Sequence, residues 1–172
     1  IDIPPGEAHY RIADAYTLPV DAEVLAIQPH AHYRAKEILG TATFPDGTSK
    51  VLMHITDWDF RWQHVYRLVT PVPLPKGTRL SMQYVYDNSE ANVRNPEVPP
   101  RRVWWGQRSR DEMGDLWFQL LTKSERDRAL VTAQITRKMT AEDITGYETM
   151  LKVDPGDTEL HDDVALLYLG LG

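Results

Sequence analysis

The chain has 172 residues, 42% of them hydrophobic and 26% charged, with a net charge of −6 and no cysteine. That is about one domain with a remainder, in the composition of a folded globular protein. The missing cysteine excludes disulfides, thiolate zinc sites, iron–sulfur clusters and a cysteine nucleophile; the acidic balance argues against a nucleic-acid partner met through a broad basic surface; and no apolar run approaches the ~18 residues a membrane span requires.

Ile1 is not an initiator methionine, and residues 1–6 lack the charged and apolar regions of a signal peptide. The other end stops at Gly172, directly after a helical pattern. Both ends read as cut, which implies a longer protein. Residues 10–18, 23–33, 37–44 and 50–56 are short runs rich in β-branched and aromatic residues, the signature of strands. Pro45-Asp46-Gly47-Thr48 reads as a tight hairpin turn between the last two. Further strands are expected at 65–70, 79–87, 103–106 and 113–121, with Pro71, Pro73, Pro75 and Gly77 punctuating the first gap. Residues 88–100 form a long polar loop with prolines, and loops of that length are often functional. About eight strands at this spacing predict a mainly β domain over residues 1–121, an antiparallel jelly-roll sandwich. Leu25, Ile27, Leu116, Phe118 and Leu120 are its expected core positions.

From Thr122 the period becomes helical. Ser124 and Asp127 fit the start of a helix reaching about Lys138. Residues 141–153 read as a second helix, stopped by Asp154-Pro155-Gly156, and 158–169 as a third. Asp154-Pro155-Gly156-Asp157 followed by Ala165 and Tyr168 is similar to the start of a tetratricopeptide repeat. The segment 122–172 is therefore expected to be a helical tail, either the beginning of a repeat array that meets a protein partner or a plain helical hairpin.

The chemistry concentrates at two places. In Pro29-His30-Ala31-His32, alternation along a strand puts both imidazoles on one face, opposite Ile27 and Tyr33. Two imidazoles one residue apart form a platform for copper, zinc or iron, although such pairs also occur as solvated surface histidines. In Asp111-Glu112-Met113-Gly114, Met113 has the parity opposite to Leu116, Phe118 and Leu120. A methionine there is ordinarily a packing residue. Its thioether is also a soft ligand, and with two imidazoles it favours Cu(I).

His30-Ala31-His32 on one strand, with Asp111-Glu112-Met113 opening another roughly eighty residues later, resembles the C-terminal domain of the type II copper, ascorbate-dependent monooxygenases. These are the group of peptidylglycine α-hydroxylating and dopamine β-monooxygenases, here in a bacterial version. Supporting stretches are Phe44-Pro45-Asp46-Gly47, Asp59-Phe60-Arg61-Trp62-Gln63, Tyr66-Arg67-Leu68, Leu74-Pro75-Lys76-Gly77-Thr78, Asp87-Asn88-Ser89, Asn95-Pro96 and Trp105-Gly106. The resemblance covers residues 3–121. It implies a jelly roll with one copper ion held by His30, His32 and Met113 for dioxygen activation. It further implies a small-molecule or peptide substrate and a preceding domain of the same polypeptide carrying a second, electron-supplying copper. It also favours an exported or periplasmic location. The chain departs from the animal enzymes in having no disulfides and no preceding domain. His9, His54, His64 and His161 are scattered and form no second cluster, so this chain alone is not expected to complete a two-copper hydroxylation.

Asp111 and Glu112 are the expected hydrogen-bond partners of the ligands, and no catalytic residue is assigned beyond the ligands themselves. Residues 57–63 suit either a ligand-lining surface or, as the default, a packed aromatic corner with Arg61 stacked on an indole. The other class of function compatible with the sequence is a non-catalytic β-sandwich joined to helical repeats, serving protein interaction.

Overall fold

A computed structural model of the chain describes residues 1–171. Those residues form nine strands and two helices. The strands are β1 (Asp2–Ile3), β2 (Tyr10–Thr17), β3 (Ala22–Ala31), β4 (Ala35–Thr43), β5 (Ser49–Ile55), β6 (Tyr66–Leu74), β7 (Arg79–Tyr86), β8 (Val103–Trp104) and β9 (Gly114–Thr122). They make three antiparallel sheets in the orders β2-β7-β4-β5, β6-β3-β9 and β1-β8. The first compact unit, Ile1–Glu125, contains all of them.

Local chemistry explains where the strands turn. Between β4 and β5, Asp46 Oδ1 accepts hydrogen bonds from the Thr48 amide and hydroxyl, and Gly47 supplies the left-handed residue at φ 86°. β6 runs straight through Pro71 and Pro73, where punctuation was expected. It lies at the edge of its sheet, so a proline without an N–H costs no ladder bond there.

The inner faces of the two larger sheets share their apolar contacts. One buried cluster combines Ala22, Val24, Ile27, Val72 and Leu74 of the three-stranded sheet with Ala42 and Leu80 of the four-stranded one. A second unites Ala31 with Ile38, Tyr84 and Tyr86, closed by Ile3, Trp58 and Val103. Ile27 is buried as expected, but Leu25 is not. A β-bulge between Val24 and Ala26 inserts Leu25 as an extra residue, so Val24, Ala26 and Ile27 are buried and Leu25 is only half-buried. Leu116, Phe118 and Leu120 do face the core, alternating with exposed Trp117, Gln119 and Leu121. They are half-buried, because β9 is an edge strand.

The second unit, from Arg126 onward, is helical. The two helices expected over 124–138 and 141–153 are one: α1 runs from Glu125 to Val153 without a break. Nothing at Lys138–Ala141 stops a helix. Thr140, Thr145 and Thr149 each turn their hydroxyl onto the carbonyl four residues back, which keeps them compatible with the helix interior. Pro155 ends α1, and Asp157 then caps α2 (Thr158–Leu171), its Oδ1 accepting from the Leu160 amide at 3.1 Å. Tyr168 donates its hydroxyl to Glu148 of α1 at 2.7 Å, while Leu166 and Leu169 remain 67% and 79% exposed. Among the described residues no helix is long and apolar enough to cross a membrane.

The bulge makes a sharp contrast testable by urea denaturation. Ile27→Ala should cost about 2–5 kcal/mol, the range for a buried aliphatic side chain. Leu25→Ala should cost less than half of that. Equal costs would mean that the register through the bulge is wrong.

Candidate metal centre

The antiparallel pairing of β3 with β9 sets His30 opposite Asp115 and Ala31 opposite Gly114. The C-terminal end of β3 therefore lies beside the residue that opens β9, and that residue is preceded by Met113. Side chains of paired residues share a face of the sheet. Met113 lies two residues before Asp115, the partner of His30, and its side chain meets the ring: His30 Nε2 lies 2.9 Å from Met113 Sδ. The His30 and His32 rings stand edge to face with centroids 5.2 Å apart. Phe60 packs edge-on against His32, at 5.9 Å, and tilts over Tyr33 at 4.6 Å.

Both imidazoles have their Nδ1 atoms occupied by the protein. His30 Nδ1 bonds Gln63 Oε1. The Gln63 amide nitrogen donates to the Phe60 carbonyl at 2.8 Å, which fixes the amide with its oxygen toward the ring. An oxygen acceptor requires Nδ1 to carry a hydrogen, so in the neutral ring Nε2 is the nitrogen left free to act as a ligand. His32 Nδ1 donates to the Asp111 carbonyl at 3.1 Å, which leaves its Nε2 unprotonated as well. Desolvation lowers the His32 pKa below its ordinary value of 6.5, against the opposing pull of the Asp111 carbonyl, so the neutral ring is favoured. His30 Nε2, His32 Nε2 and the Met113 thioether are the donors that a soft monovalent or borderline metal ion would take, and the bonds at both Nδ1 atoms are of the kind that orient metal-ligating histidines.

Of the two expected partners, Asp111 meets a ligand ring and Glu112 does not. Asp111 contributes its backbone carbonyl to His32; its carboxylate accepts from the Arg108 amide instead. Glu112 bonds neither ring. Its carboxylate is fully buried and accepts from three backbone amides: His32 at 2.6 Å and Met113 at 3.2 Å on Oε1, and Arg34 at 2.9 Å on Oε2. Burial pushes its pKa up to about 7, although the three amides and the Arg34 charge pull the other way. Arg34 is itself fully buried. Its Nε donates to Asn88 Oδ1 and Nη1 to the Arg110 carbonyl, while Nη2 faces Glu97 at 3.7 Å. Asn88, buried at the head of the long 88–100 loop, donates to the carbonyls of Pro4 and Arg101. That loop therefore anchors the ligand strands.

The remaining histidines stay apart. His54 bonds Glu37 on the surface, His64 packs on Trp62, and His161 contacts the Pro155 carbonyl. Among the described residues there is no group of three or more His, Asp or Glu placed to hold a metal; only the thioether makes a third donor. Arg61 pairs with Asp59, at 3.1 and 3.2 Å, instead of stacking on an indole. Sequence reasoning missed Gln63, Arg34 and Asn88. For Gln63 the available signal was its place beside the aromatic segment, which says nothing of a contact 33 residues back in the chain. Comparison with known family profiles and with curated proteins returns no match.

Glu112→Gln tests the buried carboxylate. An amide NH2 cannot accept, so either turn of it sets an N–H against a backbone N–H, whereas the hydroxyl oxygen of the protonated carboxyl still accepts. The variant should lose about 1–3 kcal/mol in urea denaturation at low pH. The pH sense follows from the raised pKa: the carboxyl contributes stability below its ordinary value of 4.5 and loses it as pH rises through about 7. The wild-type advantage over Glu112→Gln should therefore shrink between about pH 5 and pH 8. An advantage that grows with pH would contradict the assignment.

Proposed function

We propose that this chain contains the copper-binding domain of a monooxygenase-like protein, with one copper ion held by His30, His32 and Met113. The observation that carries the reading is the 2.9 Å approach of His30 Nε2 to Met113 Sδ, with the other ring nitrogen of both histidines committed to protein acceptors. Copper so held supplies one-electron chemistry toward dioxygen. The chain's own residues keep the ligands ready for it. Gln63 and the Asp111 carbonyl fix both tautomers, burial keeps His32 neutral, and Phe60 covers one edge of the His32 ring.

The fold supports the same reading. A jelly roll is a long antiparallel hairpin rolled up, so strands pair from the outside inward. β1 with β8, β2 with β7, β3 with β6 and β4 with β5 follow that order. Under this proposal the electron-supplying copper belongs to a preceding domain of the same polypeptide, and the substrate, a small molecule or peptide, meets the metal between the two. A second reading, a protein-interaction module, is favoured by one observation: α2 buries none of its residues and exposes Leu166, Tyr168 and Leu169.

Titration with Cu(I) under anaerobic conditions separates the two. His30→Ala and His32→Ala should each weaken binding by more than the ~10–100-fold that loss of an outer hydrogen-bond partner costs. Met113→Ala should weaken Cu(I) binding while leaving Cu(II) binding nearly intact, since a thioether prefers the softer ion. Affinity should fall as pH falls and His32 protonates, a loss that sets in below 6.5 because burial lowers its pKa. Equal Cu(I) affinity in the wild type and all three variants would remove the copper site and leave the interaction module.

A further inference from the structure

The peptide group of Met113 is held at both ends by side chains. Its N–H donates to Glu112 Oε1 at 3.2 Å. Its carbonyl accepts the Tyr86 hydroxyl at 3.0 Å. Tyr86 belongs to β7, in the four-stranded sheet, so this bond crosses the core to the strand end that carries Met113. Tyr84 sits on the same face of β7 and donates to the Asp115 carbonyl at 2.6 Å. The two tyrosine rings stack with centroids 6.1 Å apart and planes 17° from parallel, and both are fully buried. Gly114 lies between the two tethered carbonyls. A Cβ there would stand 2.3 Å from the Tyr86 hydroxyl oxygen and 3.3 Å from the Tyr84 ring, so only glycine admits the approach.

We propose that Tyr86 is a positioning residue that fixes the height of Met113 over His30 and thereby sets the preference of the site for reduced copper. The inference rests on the copper reading of the site. The hydroxyl touches neither ring nor thioether. It holds the carbonyl of the residue whose side chain reaches Nε2, and Gly114 gives it room to do so. Tyr84 anchors the next carbonyl on the same face and keeps the strand from pivoting about the Tyr86 bond.

Tyr86→Phe keeps the ring and removes the bond. Cu(I) and Cu(II) dissociation constants are measured for the wild type, Tyr86→Phe, Met113→Ala and the double variant. Loss of one hydrogen bond should weaken Cu(I) binding by roughly three- to tenfold and leave Cu(II) binding within about twofold. In the Met113→Ala background the same change should have no further effect on Cu(I), because a positioning residue acts only through the group it positions. An unchanged Cu(I) affinity in Tyr86→Phe, or an equal loss in the Met113→Ala background, would overturn the proposal. A metal-free readout separates its failure from that of the copper reading. In protein labelled at the methionine methyls, the Met113 carbon resonance should shift or broaden in Tyr86→Phe while those of Met139 and Met150 stay in place. A shift with no Cu(I) dependence on Met113 would leave the strut standing and remove the copper. An unmoved Met113 resonance would remove the strut. Should Tyr86→Phe fail to fold, Gly114→Ala displaces the same hydroxyl and is read in the same way.

Discussion

A buried carboxylate with three backbone partners organises this molecule. The His32 and Arg34 amides lie between β3 and β4, outside either strand's ladder, and the Met113 amide lies just before β9. Glu112 accepts from all three. Without it, two buried donors and a part-buried third would be unpaired at one point, the buried ones at a cost of about 1–3 kcal/mol each. With it, the end of the histidine strand and the start of the methionine strand share a single carboxylate. The Arg34 charge balances that carboxylate, and Asn88 and the Arg110 carbonyl bind Arg34 in turn. The network that joins these two strand ends contains neither the His30 nor the Met113 side chain.

That arrangement divides the labour. Backbone register decides which side chains meet, since β3 and β9 pair so that His30 faces Asp115. Buried polar groups then hold the strand ends at fixed separation. Short-range bonds from Gln63 and the Asp111 carbonyl finally choose the tautomers. Each level works on a different length of chain, and a donor pair as close as His30 Nε2 and Met113 Sδ needs all of them. A solvated pair of surface histidines would need none.

The strands were legible because most of them alternate apolar and polar residues. Parity along β3 was enough to set His30 opposite its core neighbours, whereas His32 and Met113 lie just outside β3 and β9, where strand alternation no longer decides a side chain's face. The parity argument failed at Leu25, because a bulge depends on how two neighbouring strands fit and leaves no local mark. It overstated the burial of Phe118, because alternation reports the face of a strand and not its place at the edge of a sheet. β1 is two residues long, too short for any period to show. Helix α1 was expected in two pieces although Lys138–Ala141 holds no breaker, and the hydrogen bonds carry it through. The site's supports were the least legible. Gln63 and Arg34 act across tens of residues, and Glu112 was placed correctly in the chain but serves backbone amides instead of an imidazole.

The central claim is that two imidazoles and a thioether share one ion. X-ray absorption at the copper edge on the Cu(I)-loaded protein reads that coordination shell directly. The account predicts two imidazole nitrogens and one sulfur scatterer, with the sulfur lost in Met113→Ala. The protein has no cysteine, so any sulfur in the shell must be a methionine's. A shell of nitrogen and oxygen alone, unchanged by that substitution, would contradict it.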